Sequence, residues 1–156
     1  LRAIELAALN WGDVYDEEGA PRSQFTLTAA QTKGRKARTV YVSTALRQTL
    51  KRYARSQAVS ASQTVGDFRR SPLFRSQRNL RFNANTMCQL ILDIYKGCGL
   101  STASSHSGRR TFITRLAAQG VSVRVLAELA GHSSIQTTQR YIDVNSEQMA
   151  RAVELV

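Results

Sequence analysis

From Ala84 onward, apolar residues recur at helical spacing in short pieces separated by glycines, and this pattern constrains the fold more than any other feature. The pieces run from Ala84 to Lys96, Ser107 to Gln119, Val123 to Ala130 and Ser134 to Tyr141, with Gly97, Gly99, Gly120 and Gly131 at the expected stops. Side chains three and four apart line one helix face, and glycine accepts the left-handed backbone that ends a helix. The spacing therefore predicts a set of short packed helices. Leu1, Ile4, Ala8 and Leu9 follow the same rule with no capping residue before them, so the chain reads as opening inside a helix and as a piece of a longer protein.

The first half is different. Phe25, Leu27 and Ala29 alternate with Thr26 and Thr28 over Gln24 to Gln31, and Val40 and Val42 alternate with Thr39 and Tyr41 over Arg38 to Ser43. With Lys33 and Gly34 between them, the two runs predict a hairpin with a cationic tip. Ser43 is placed to cap a helix through Leu46, Leu50 and Tyr53, whose outer face carries Arg47, Lys51, Arg52 and Arg55. Ser56 to about Asn83 reads as a long surface loop anchored by Leu73 and Phe74; its Arg69, Arg70, Arg75, Arg78 and Arg81 either meet nucleic acid or are simply solvated. A last amphipathic stretch covers Ser146 to Val156. The fold class expected is mainly α with a small antiparallel β-sheet, in a single domain over residues 1–156.

Charge narrows the function. Lys and Arg number 22 against 11 Asp and Glu, and 18 of those cations are Arg, whose planar fork grips phosphate oxygens in pairs. A hydrophobic content of 42% supports one core, and the excess of +11 points to a polyanion, nucleic acid first. No apolar run approaches the roughly 20 residues a membrane span needs, and no secretory leader is recognisable. Cys88 and Cys98 have no partners at ligand spacing, so neither a disulfide framework nor a metal or cofactor is expected, and the compartment is read as the reducing cytoplasm.

The densest chemical signal is His106 and Arg109, three apart at a helix start where free backbone N–H groups favour an anion. Taken singly, a histidine at a helix end caps or packs, His132 beside Gly131 lies in a turn, and Tyr141 is a half-buried core aromatic. Taken together, the run His106-Ser107-Gly108-Arg109-Arg110-Thr111-Phe112, then Leu129-Ala130-Gly131-His132-Ser133, then Thr137-Thr138-Gln139-Arg140-Tyr141 resembles the signature of the tyrosine recombinases, the phage-integrase-type site-specific recombinases. Leu1-Arg2-Ala3-Ile4-Glu5-Leu6 is similar to the family segment with the first catalytic arginine. Thr32 to Arg38 is similar to the hairpin with the catalytic lysine.

The resemblance implies a catalytic domain that breaks and rejoins DNA without metal or ATP. Arg2 and Arg109 would clamp the non-bridging phosphate oxygens, Tyr141 would attack, and Lys33 would protonate the departing 5′ oxygen. His106 would assist proton transfer at the tyrosine, His132 would donate to the phosphate, and Glu5 would support the site near Arg2. Lys36 and Arg38, on the same hairpin, compete with Lys33 for its role. Arg35, Lys36, Arg38 and Arg110 are read as DNA contacts, Arg110 pointing about 100° away from Arg109. Gly108 stands where the family usually has a bulkier apolar residue, which bears on the packing of that helix. Tyr15, Tyr41, Tyr53 and Tyr95 lack the motif and are read as packing residues. The implied partners are double-stranded DNA and further copies of the chain, a tetramer on DNA joined through the Ser146 to Val156 tail, with a monomer whose tail folds back as the alternative off DNA. The amino-terminal jaw of the family is expected to lie outside this chain, so DNA binding by the piece alone should be weak and salt-dependent. A type IB topoisomerase shares the constellation in another sequence context. A non-catalytic DNA-binding module of the same fold is the second reading; an RNA-binding protein finds little support in 7% aromatic content.

Overall fold

The computed structural model describes residues 1–57, 65–78, 80–142, 149, 150, 153 and 154. The chain divides into two compact units, Arg2–Ile94 and Tyr95–Val156 together with Leu1.

In the first unit, α1 (Ala3–Ala8) and α2 (Trp11–Val14) open the chain. Each begins where an acid three residues into the helix reaches back to the preceding N–H: Arg2 donates to Glu5 Oε2 at 2.7 Å and Asn10 to Asp13 Oδ2 at 2.8 Å. The hairpin pairs β1 (Gln24–Leu27) with β2 (Arg38–Tyr41), antiparallel, with Gln24 opposite Tyr41 and Leu27 opposite Arg38. Phe25 and Leu27 are buried while Gln24 and Thr26 are exposed, as the alternation predicts. The strand stops earlier than expected, because Gln31 Oε1 accepts from the Thr28 N–H at 2.9 Å and Ala29–Gln31 winds into a 3-10 turn. Then α3 (Thr44–Gln57) starts at Ser43, whose hydroxyl accepts from the Leu46 N–H at 3.2 Å.

The stretch expected to be loop is partly ordered by aromatic packing. Val65–Arg70 forms α4, and its Phe68 lies 4.8 Å from Trp11, which also stacks on Tyr53 at 5.7 Å and touches Tyr15 at 4.8 Å. Beyond α4, the Trp11 N–H donates to the Ser71 carbonyl at 3.1 Å and the Leu73 N–H to Leu9 at 2.9 Å, so this segment runs half-buried beside α1 and α2, with Leu73 buried. Three apolar anchors separated by polar residues carry no period, which is why the sequence reads as loop. Arg81 belongs to this packing as well: Nη1 donates to the Ala7 carbonyl at 3.1 Å and Nη2 to Asn10 Oδ1 at 2.6 Å. Arg69 pairs with Glu17 at 3.2 Å. A second cluster joins Ala3 and Ala7 of α1 to Met87 of α5 (Ala84–Gly97).

The second unit takes in the last turn of α5, then α6 (Ser107–Ala118), α7 (Val123–Ala130) and α8 (Ile135–Gln139), close to the predicted spans. Ile113, Leu126, Ala127, Ala130 and Thr138 are buried among its described residues. Gly131 ends α7 at φ 66°, with its N–H on the Glu128 carbonyl at 3.0 Å and the His132 N–H on Ala127 at 2.9 Å. That pair of bonds is a Schellman turn, and it needs the left-handed backbone glycine supplies. Of the expected tail helix, only Met149, Ala150, Val153 and Glu154 are described; the rest lies outside the described residues. Among the described residues no helix is long and apolar enough to cross a membrane, and no group of three or more His, Cys, Asp or Glu could hold a metal ion.

Candidate active site

In the first unit the arrangement is built on Glu5, whose side chain is fully buried. Its carboxylate accepts from the Arg2 N–H, from Arg2 Nη1 at 3.4 Å and from Arg38 Nη2 at 2.9 Å. Burial alone raises a carboxyl's pKa; here the Arg2 N–H, the charge and hydrogen bond of Arg38 and the charge of Arg2 together outweigh it and hold Glu5 below its ordinary value. Glu5 therefore sits as a carboxylate under two guanidinium groups and fixes the helix start that carries Arg2.

Arg38 is the main departure from expectation here. Its place in the sequence predicts a hairpin-tip DNA contact, whereas in the structure it begins β2 opposite Leu27, and its side chain, 14% exposed, turns inward onto Glu5. The tip consists of Lys33, Gly34, Arg35, Lys36 and Ala37, all exposed. Thr32 is buried at its base: its hydroxyl accepts from the Lys36 N–H at 3.1 Å and donates to the Lys36 carbonyl at 2.9 Å, closing the loop. Arg35 takes the left-handed conformation within it, at φ 52°.

In the second unit His106 is the exposed residue just before α6, with its carbonyl accepting from the Arg110 N–H at 2.9 Å. Arg109 is half-buried and its Nη2 donates to the carbonyl of Ala130, the last residue of α7. The Gly131 turn then delivers His132, whose Nδ1 lies 2.9 Å from the Thr138 hydroxyl. Tyr141 follows α8, half-buried, with its N–H on the Thr138 carbonyl at 3.0 Å. The rings of His132 and Tyr141 stack with centroids 6.2 Å apart, and the Arg110 guanidinium carbon lies 5.9 Å from the centre of the same tyrosine ring. Residues from all three motif pieces thus meet around Tyr141 and the end of α7. Arg110, read as a contact pointing away, keeps that exposure while lying over Tyr141.

The other tyrosines are sorted by their surroundings. Tyr15 donates to the Leu50 carbonyl and Tyr53 to Leu73, each at 2.9 Å. Burial, with the charge of Tyr53, pushes Tyr15 up to about 12; burial also raises Tyr53 against the opposing charge of Arg75. Both are packing residues whose phenolates are disfavoured. Tyr41 is not: it is 65% exposed on β2. The Tyr95 hydroxyl accepts from the Gly108 N–H at 3.0 Å, and a Cβ on residue 108 would come within 2.7 Å of it. A tyrosine hydroxyl therefore occupies the space that makes glycine fit there. Sequence reasoning gave no role to Thr138 or to the inward turn of Arg38. The only signal for Thr138 is its place three before Tyr141, on one face of the helix the sequence predicts over Ser134 to Tyr141.

Residues 1–148 match the phage integrase family, and the chain belongs to that family. It is 30% identical over 146 residues to tyrosine recombinase XerC of Thermodesulfovibrio yellowstonii, covering 93% of this chain and 46% of that protein. A crystal structure of XerA recombinase superposes with a TM-score of 0.72 at 28% identity, covering 99% of this chain and 51% of that one. The Tn1549 transposon integrase, solved with a circular intermediate DNA, shares the fold at a TM-score of 0.68 and 21% identity, covering 100% of this chain and 55% of that one. The chain spans about half the length of the curated relatives it matches.

Proposed function

We propose that the chain is the catalytic domain of a site-specific DNA recombinase that cleaves and rejoins strands through Tyr141. The observation that carries this reading is the surrounding of Tyr141, with His132 stacked on its ring at 6.2 Å and Arg110 over it at 5.9 Å, beside the α7 end that Arg109 holds. Tyr15 and Tyr53, by contrast, are tied into packing.

A phosphodiester resists attack because its oxygens are already anionic, so the charge must be neutralised and the leaving oxygen protonated. Arg2 and Arg109 bind the non-bridging oxygens, and His132 donates a further hydrogen bond. The Tyr141 oxygen attacks phosphorus while its proton passes toward His106. The bond to the 5′ oxygen breaks, and that oxygen takes a proton from Lys33 on the exposed tip. The products are a 3′-phosphotyrosyl link and a free 5′-hydroxyl; the reverse attack rejoins the strand, so the bond energy is kept. Glu5 holds Arg2 without touching substrate. Arg35, Lys36 and Arg110 supply DNA contacts, Arg38 serves Glu5, and the protein works as a tetramer on cytoplasmic, nucleoid DNA.

A nicked duplex carrying candidate target sites tests the proposal, because the freed fragment diffuses away and traps the covalent intermediate. A band that survives denaturation with the natural chain and vanishes with Tyr141→Phe is the expected result. A band that persists in Tyr141→Phe, or salt-sensitive binding with no covalent band from any length of the chain, would refute it, the second outcome marking a DNA-binding module.

A further inference from the structure

Thr138 is fully buried on α8 and touches two residues of the candidate site at once. Its carbonyl accepts from the Tyr141 N–H at 3.0 Å, and its hydroxyl lies 2.9 Å from Nδ1 of His132. Among the described residues the hydroxyl has no other hydrogen-bond partner. A buried hydroxyl proton needs an acceptor, since leaving it without one costs the full desolvation of the group. His132 Nδ1 is the acceptor on hand, and a neutral imidazole that accepts at Nδ1 must carry its single proton at Nε2.

We propose that Thr138 is a positioning residue that donates to His132 Nδ1 and thereby fixes the Nε2–H tautomer, the form able to donate to an anionic oxygen. The opposite tautomer would present a lone pair to a phosphate and repel it. The ring is held at both ends: the Gly131 turn fixes the backbone, with the His132 N–H on Ala127, and the threonine hydroxyl fixes the ring plane. Because the same residue receives the Tyr141 N–H, the histidine and the tyrosine share one anchor. The use of this tautomer rests on the function proposed above, whereas its existence does not.

The chain has two histidines, so ring-15N labelling gives a spectrum simple enough to assign with a single His106→Asn control. Long-range 1H–15N correlations are recorded on the 156-residue chain without DNA, through a pH series ending on the neutral-ring plateau. The natural chain should show His132 as Nε2–H alone, Thr138→Val a mixture of both tautomers, and Thr138→Ser the natural pattern. An Nδ1–H ring in the natural chain, or a Thr138→Val spectrum identical to the natural one, would overturn the inference; the first readout needs no variant to fold. In the nicked-duplex assay Thr138→Val should slow covalent trapping roughly tenfold or more, as loss of a partner orienting a functional histidine does, with DNA affinity changed far less and Thr138→Ser restored. Equal trapping by Thr138→Val would also overturn it. Tautomer shifts with no trapping in any chain would refute the proposed function and leave the tautomer assignment supported.

Discussion

Replacing Glu5 by Gln keeps the shape of the buried side chain and removes its charge, which isolates what the carboxylate does. In the natural chain it balances Arg38, 14% exposed and 2.9 Å away, and Arg2, 25% exposed and 3.4 Å away. The amide oxygen of Gln can still accept from the Arg2 N–H or from Arg38, but the amide NH2 then faces a guanidinium, and the partly buried Arg38 loses the charge of Glu5. Breaking a buried pair by removing one partner costs about 3–5 kcal/mol. The hydrogen bond the amide retains and the partial exposure of Arg38 place this case at about 3 kcal/mol, the lower end of that range. At about 2–4 °C per kcal/mol for a chain of this size, the midpoint should fall by about 6–12 °C. Trp11, the single tryptophan, is 5% exposed in the aromatic cluster of the same unit, so its fluorescence during urea or thermal unfolding reports the unit that holds Glu5. The double variant Glu5→Gln with Arg38→Gln should recover part of the loss, because both charges of the Glu5–Arg38 pair are then removed together. A loss below about 1 kcal/mol, or double-variant losses that simply add, would refute the view of Glu5 as a buried counter-charge.

The same group sets a pH dependence. Folded Glu5 lies below its ordinary value of 4.5, so its contribution is complete above that pH and is lost as pH falls through the folded value. The stability gap between the natural chain and Glu5→Gln should therefore be constant near neutrality and narrow in unfolding curves as pH falls below 4.5. Gly131→Ala forces a side chain into the left-handed turn after α7 and should cost about 1–2 kcal/mol by chemical denaturation, while moving His132. On the exposed tip, Arg35→Gln and Lys36→Gln should each lower the slope of log affinity against log salt by about one, with little change in unfolding midpoint, where Arg38→Gln should lower the midpoint.

The sequence made α6 and α7 legible because apolar residues at helical spacing run up to a glycine stop, Gly120 and Gly131, and α7 falls on its predicted span Val123–Ala130. Its motif spacing also brings Arg109, His132 and Tyr141 into a neighbourhood formed by consecutive helices. What stayed hidden has a common physical cause. The inward turn of Arg38 depends on a glutamate 33 residues earlier, and α4 depends on an aromatic ring in α2. Neither partner leaves a local period. Ala29 continued the alternation of β1, yet a single bond from Thr28 to the Gln31 side chain ended the strand. Thr138 is a small polar residue among other threonines, and only its burial and its distance to His132 distinguish it.

Arg81 has a consequence for the order in which the chain is completed. Helices of six and four residues, such as α1 and α2, are too short to persist alone in water. Their free ends are bonded by a side chain that leaves the ribosome about seventy residues later, through Ala7 at a separation of 74 and Asn10 at 71. These two helices are thus finished late, after a long loop has closed, and a nascent chain halted before Arg81 should leave Arg2 and Glu5 open to protease. The motif residues of the second unit, from His106 to Tyr141, have no such wait, since their mutual contacts close over short spans as each helix emerges.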